Sequence, residues 1–246
     1  MASLAGVVFD VDGTLVDSER DGHRVAFNRA FEEACLPDRW DPATYGRLLA
    51  VTGGRRRLDA YFAEQGMGED ERAALAARLH GRKTELFLDL MAEGAVPARP
   101  GTTELLDALD AAGVPLAVAT TGSRRWVVPL LDRHFGAGRF SVIVTGDDVT
   151  RRKPDPEAYQ VVLDRMQVPA AQLVAVEDSD NGVRSALAAG LPVVAVTNDY
   201  TAGQDLSGAA LVVGSFDRLD VDALRSAAGA DGGPAVTPPP PGAAAP

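Results

Sequence analysis

The 246-residue chain has a single cysteine, Cys35, so no disulfide can form within it, and that sparing use fits a reducing compartment. No apolar run approaches the ~20 residues that a membrane span requires. The N-terminus has neither a basic flank nor an apolar signal core, and a cytoplasmic protein is expected. Basic residues are few: 24 Lys and Arg against 35 Asp and Glu leave a formal net charge of -11. Such a balance offers no field of cations to a nucleic-acid backbone. A small phosphorylated molecule needs only a local cluster of cations, so it stays within reach. No internal repeat is visible. No exposed apolar helical pattern demands a partner subunit, so a monomer is favoured.

Hydrophobic residues make up 46% of the chain, enough for a sizeable core. Short runs rich in Val, Ile or Leu recur at 6–9, 114–120, 141–145, 173–176, 192–196 and 211–213. None alternates with polar residues, which suits strands covered on both faces. Helical patterns at 102–112, 124–135, 156–166 and 181–189 lie between most of them. This alternation predicts a doubly wound, Rossmann-like parallel α/β sheet. The stretch 18–98 contains helical patterns but no convincing strand; Leu75, Leu79, Leu86 and Leu90 fall on one helix face. It reads as a helical cap inserted into an α/β core made of 1–17 and 99–227. The Pro/Ala/Gly-rich tail, 228–246, is expected to be disordered.

The first apolar run ends in Asp10-Val11-Asp12-Gly13-Thr14. Open parallel sheets bind ligands beyond the carboxyl ends of their strands. Two like charges there are unfavourable unless a shared proton or a hard, oxygen-seeking cation relieves them. Three more pieces follow in order: Thr120 ending a strand run, Lys153 before a Pro-bounded helix start, and Glu177-Asp178 ending a further strand run. Alone, each has an ordinary explanation as a turn cap, a solvated lysine or a helix cap. Together they supply a nucleophilic carboxylate, a phosphate-binding hydroxyl, a cation and a second acidic metal site. Phosphoryl transfer through an aspartyl-phosphate needs those parts.

With these four motifs the chain resembles the haloacid dehalogenase superfamily. Its cap is similar to that of the β-phosphoglucomutase-like subgroup, and within it to CbbY-type proteins, the xylulose-1,5-bisphosphate phosphatases. That finer resemblance is carried by GHRVAFN at 22–28, YGRLLAVTGG at 45–54 and HGRKTELF at 80–87, with EDSDNG at 177–182 and NDYT at 198–201 agreeing. The resemblance implies that Asp10 is the nucleophile and Asp12 the general acid and base. Mg²⁺ would be held by Asp10, the main-chain carbonyl of Asp12, and Asp178, with Glu177 behind them. Thr120 and Lys153 would bind the transferring phosphoryl group of a small phosphorylated sugar.

In the cap the candidates for substrate binding are His23, Thr52, Gly53, Gly54, Arg55 and Lys83. Thr52-Gly53-Gly54 precedes a helical pattern and offers N–H groups to an anion. Lys83 reads equally as a substrate ligand or as part of a solvated charged face. Two departures from related caps stand out. Arg55-Arg56-Arg57 replaces a Lys-Glu pair, and His23 lies six residues after Asp17 instead of five. Three rival functions share the pattern: a phosphosugar mutase, a general sugar-phosphate phosphatase and a non-catalytic binding module.

Overall fold

The structure, a computed structural model, describes residues 4–51 and 53–229. The expectations for Thr52 and for residues 230–246 of the tail fall outside it. The chain divides into two compact units, Val16–Pro97 and the remainder, Met1–Leu15 with Ala98–Pro246.

Val16–Pro97 is helical. A wide π-type turn, Ser18–His23, runs into α1 (Arg24–Glu33) and is followed by α2 (Pro42–Leu48), α3 (Gly54–Glu64) and α4 (Glu69–Glu93). Asp41 caps α2 by accepting from the Thr44 N–H, and Pro42 takes a position whose N–H needs no partner. Helix α4 carries Glu69, Asp70 and Glu71 in its first turn, where the helix dipole favours acids, and stops at left-handed Gly94. Its buried face, Ala76, Leu79, Lys83, Leu86, Phe87, Leu90 and Met91, packs on α1 and α3. Phe27, Phe31, Trp40, Tyr45 and Phe62 fill the centre, all buried. Trp40 is pinned by a reciprocal pair: its N–H donates to Asn28 Oδ1, and Asn28 Nδ2 donates to its carbonyl.

The other unit is a six-stranded parallel sheet: β1 (Gly6–Phe9), β2 (Leu116–Ala119), β3 (Val142–Val144), β4 (Leu173–Glu177), β5 (Val193–Val196) and β6 (Leu211–Val213). Helices α5 (Thr102–Ala111), α6 (Arg124–Phe135), α7 (Glu157–Met166), α8 (Asp180–Ala188) and α9 (Val221–Ala228) complete it. Strands β1, β2, β4 and β5 are buried along their whole length, which is why their sequences show no polar alternation. The apolar run at 114–120 extends past β2, yet the Pro115 carbonyl still accepts from Val7 N–H and Thr120 N–H still donates to Val144. Helix α9 was not foreseen. Ala228, assigned to the tail by composition, is its buried last residue.

Strand order is β3-β2-β1-β4-β5-β6. The direction of winding reverses between β1 and β4, paired at Phe9 and Val176. Such a reversal opens a crevice beyond the carboxyl ends of the two strands.

Candidate active site

Asp10 and Asp178 flank that reversal. Asp10 follows β1, and its N–H donates to the Val176 carbonyl, so the pairing of the strands fixes its backbone. The chain then turns through Gly13, whose φ of 81° suits glycine; a Cβ there would also strike Asp178 Oδ2. Strand β4 ends at Glu177, and Ser179 Oγ caps α8 by accepting from Gly182 N–H. A Cβ on Gly182 would overlap the Glu177 carboxylate, so the glycine lets that carboxylate lie against the first turn of α8.

Asp10, Glu177 and Asp178 are 5%, 1% and 5% exposed, and each brings a carboxylate oxygen within 4.8 Å of the others. Lys153 Nζ donates to Asp10 Oδ1 at 2.6 Å, Glu177 Oε1 at 2.5 Å and the Ala119 carbonyl at 2.8 Å. Tyr159 Oη donates to the same Glu177 oxygen at 2.6 Å. Burial, reinforced by Asp10 and Glu177, pushes Asp178 well above the usual carboxylate range. Burial likewise raises Glu177 to about 7, with the Lys153 ammonium opposing it. Burial disfavours the Lys153 charge too, but Asp10 and Glu177 outweigh it and hold that lysine above its ordinary value.

Three buried carboxylates thus share one ammonium. Fully ionised, the cluster carries two negative charges in excess, which a hard divalent cation with oxygen ligands cancels. The donor set fits Mg²⁺. The Asp12 carboxylate is not part of the group; it lies two residues on in the turn, half-buried. Thr120 is buried at the end of β2, the strand beside β1, and its Oγ1 accepts from Gly122 N–H at 3.1 Å.

Within the cap, Lys83 is buried, which excludes the solvated-face reading. It donates to His23 Nδ1 at 2.8 Å and lies 5.0 and 4.9 Å from the ring centroids of Phe27 and Phe87. An ammonium has no acceptor, so His23 Nδ1 is unprotonated and the ring proton sits on Nε2. Burial, then the charges of Lys83 and Arg57 and the nearby His80, keep His23 well below 6.5. The π-type turn ends at His23, six residues after Asp17. Gly53 caps α3 with a φ of 94°; it and Arg55 are exposed, whereas Gly54 lies close to His80. The three arginines are not alike. Arg57 is buried, donating to the Leu48 carbonyl and to Tyr45 Oη, which in turn donates to Glu19.

Tyr159, Arg99 and Asn198 were missed as site neighbours by sequence reasoning. Asn198 opens the NDYT stretch, which by itself suggested no role.

Residues 4–190 match the model of the haloacid dehalogenase-like hydrolase family, and the chain belongs to that family. Among its relatives, the CbbY protein of Rhodobacter capsulatus is 41% identical over 209 residues, covering 84% of this chain and 91% of that one. The crystal structure of CbbY from Rhodobacter sphaeroides in complex with phosphate superposes with a TM-score of 0.75 at 36% identity, over 90% of this chain and 99% of that one. A variant of the same protein, solved with xylulose-1,5-bisphosphate, matches equally well.

Proposed function

We propose that the protein is a Mg²⁺-dependent sugar-bisphosphate phosphatase that hydrolyses xylulose-1,5-bisphosphate to xylulose 5-phosphate and phosphate, as a monomer in the cytoplasm. The observation that carries this reading is the buried Asp10–Lys153–Glu177–Asp178 cluster at the sheet reversal. It occurs in a chain 36% identical to a protein solved with that bisphosphate.

A carboxylate oxygen of Asp10 attacks phosphorus, and the bond from phosphorus to the sugar oxygen breaks. Asp12 gives the leaving alkoxide its proton. Asp12 then takes a proton from water as the water oxygen attacks the aspartyl-phosphate, releasing phosphate and restoring Asp10. Lys153, steadied by Glu177 and Tyr159, keeps Asp10 oriented and offers charge to the phosphoryl oxygens; Thr120 offers its hydroxyl. Asp10, the Asp12 carbonyl and Asp178 would hold Mg²⁺, which supplies positive charge against the repulsion between carboxylate and phosphate. Gly53, Gly54, Arg55 and His23 are assigned to the second phosphate, with Lys83 setting the His23 tautomer.

The test is phosphate release from xylulose-1,5-bisphosphate, xylulose 5-phosphate and hexose monophosphates, with Mg²⁺ and with chelator. A charge-assisted contact contributes ~1.5–3 kcal/mol, so the bisphosphate is expected to lead by at least ~10-fold in kcat/KM. Equal turnover of monophosphates would make the protein a general sugar-phosphate phosphatase. No release under any condition would make it a binding module.

A further inference from the structure

One cluster beside the acidic site has no part in the chemistry above. The Gly13 carbonyl accepts from two side chains, Arg99 Nη1 at 2.7 Å and Asn198 Nδ2 at 3.1 Å. Asn198 Nδ2 also donates to Asp178 Oδ2 at 2.7 Å. Its Oδ1 accepts from Tyr200 N–H at 2.9 Å, so the amide cannot be flipped without setting oxygen against two acceptors. The Asn198 backbone is fixed as well: its N–H donates to Thr201 Oγ1, and its carbonyl accepts from Thr201 and Ala202. Arg99 spreads its guanidinium over the carbonyls of Gly13, Val196 and Thr197, and its main-chain N–H donates to Leu15. The ends of β1 and β5 are thereby tied to each other and to one oxygen of Asp178.

We propose that Asn198 and Arg99 are positioning residues for the divalent-cation site, Asn198 by holding one oxygen of Asp178 and both by locking the turn that carries Asp10 and Asp12. The proposal rests on the metal-site reading given above. Its physical basis is the crowding of three carboxylates. An untethered Asp178 relieves repulsion by swinging away, and that move removes a cation ligand. A neutral amide donor holds it in place, and Gly13, lacking a Cβ, leaves room for it. A lysine at position 99 would keep the charge but lose the planar fork that reaches three carbonyls.

The experiment measures Mn²⁺ binding directly, by electron paramagnetic resonance of the free ion, on the full chain and on Asn198→Ala, Asn198→Ser and Arg99→Lys. Partners behind metal ligands typically set affinity by ~10–100-fold, and a rise of that size in the Mn²⁺ Kd is expected for Asn198→Ala. Arg99→Lys should weaken binding several-fold. KM for the phosphorylated substrate at saturating metal should change little, and excess Mg²⁺ should restore most turnover. A Kd within two-fold of wild type in variants that keep their near-ultraviolet circular dichroism would overturn the proposal and leave the metal site standing. Absence of Mn²⁺ binding by the wild type would overturn both.

Discussion

Asp10→Asn separates what the site does from what it costs the fold. In the metal-free protein Asp10 is repelled by Glu177 and Asp178, whose oxygens lie within 4.8 Å, and attracted by Lys153 at 2.6 Å. At an effective dielectric of ~20, and with all three carboxylates ionised, each repulsion is at least about 3.5 kcal/mol and the attraction about 6 kcal/mol. At these values the two repulsions sum to about 7 kcal/mol, so attraction and repulsion nearly cancel. An asparagine oxygen still accepts from Lys153. The substitution is therefore expected to change metal-free stability by less than ~2 kcal/mol, and Tm by less than ~8 °C at this chain length. Turnover should fall by ~10⁴ or more, as for other removed nucleophiles. Urea unfolding in chelator and phosphate-release kinetics in Mg²⁺ measure the two quantities on one preparation. Retention of a tenth of wild-type turnover would end the nucleophile assignment. A loss of stability beyond ~4 kcal/mol would show that the lysine attraction dominates and that the charge balance is misjudged.

Asp12→Ala should cost ~10²–10⁴ in the phosphorylation step on a sugar phosphate. It should cost much less on an aryl phosphate, whose leaving group needs no proton; equal single-turnover losses would refute the acid role. His23 stays neutral in the fold while the unfolded chain takes up a proton below pH 6.5. Stability should therefore drop as pH falls through that value, by up to ~1.4 kcal/mol per pH unit. His23→Gln should flatten the slope of urea midpoints between pH 5 and 7; an unchanged slope would count against the buried neutral tautomer. Arg57→Met removes one donor from the Leu48 carbonyl, which keeps the Val51 N–H, and one from Tyr45 Oη, and should destabilise by ~1.5–3 kcal/mol. Arg55→Ala, at an exposed position, should stay within ~0.5 kcal/mol while narrowing the preference for bisphosphate over monophosphate.

The sheet and its acidic strand ends were legible because doubly covered strands leave unbroken apolar runs, and a carboxylate ending such a run stands out. Asp10, Glu177 and Asp178 could be found that way, and Lys153 by its place before a Pro-bounded helix start, even though 24 to 143 residues separate the bonded partners. The cap was less readable. Lys83 lies on the stripe of Leu79, Leu86, Phe87 and Leu90; that apolar setting was the available signal for burial, and its pairing with Phe87 alone did not decide it. Arg57 hides in a run of three arginines, and only the packing of α3 tells it from its exposed neighbours. Arg99 donates to main-chain carbonyls, at Gly13, Val196 and Thr197, and a carbonyl leaves no trace in residue identity. Asn198 spends its amide on one such carbonyl and on a carboxylate 20 positions away.

The interrupted core sets an order of assembly during synthesis. Residues Val16–Pro97 are contiguous and carry their own aromatic centre, so this unit can close as soon as it clears the ribosome. Strand β1 is made before the other strands of its sheet, yet its neighbours are β2 and β4, which end at residues 119 and 177. At ~5–20 residues per second, Val7, Val8 and Phe9 wait on the order of 10–30 s for the second of these partners. For that interval the nascent chain carries an apolar β-segment whose two strand partners are not yet both made.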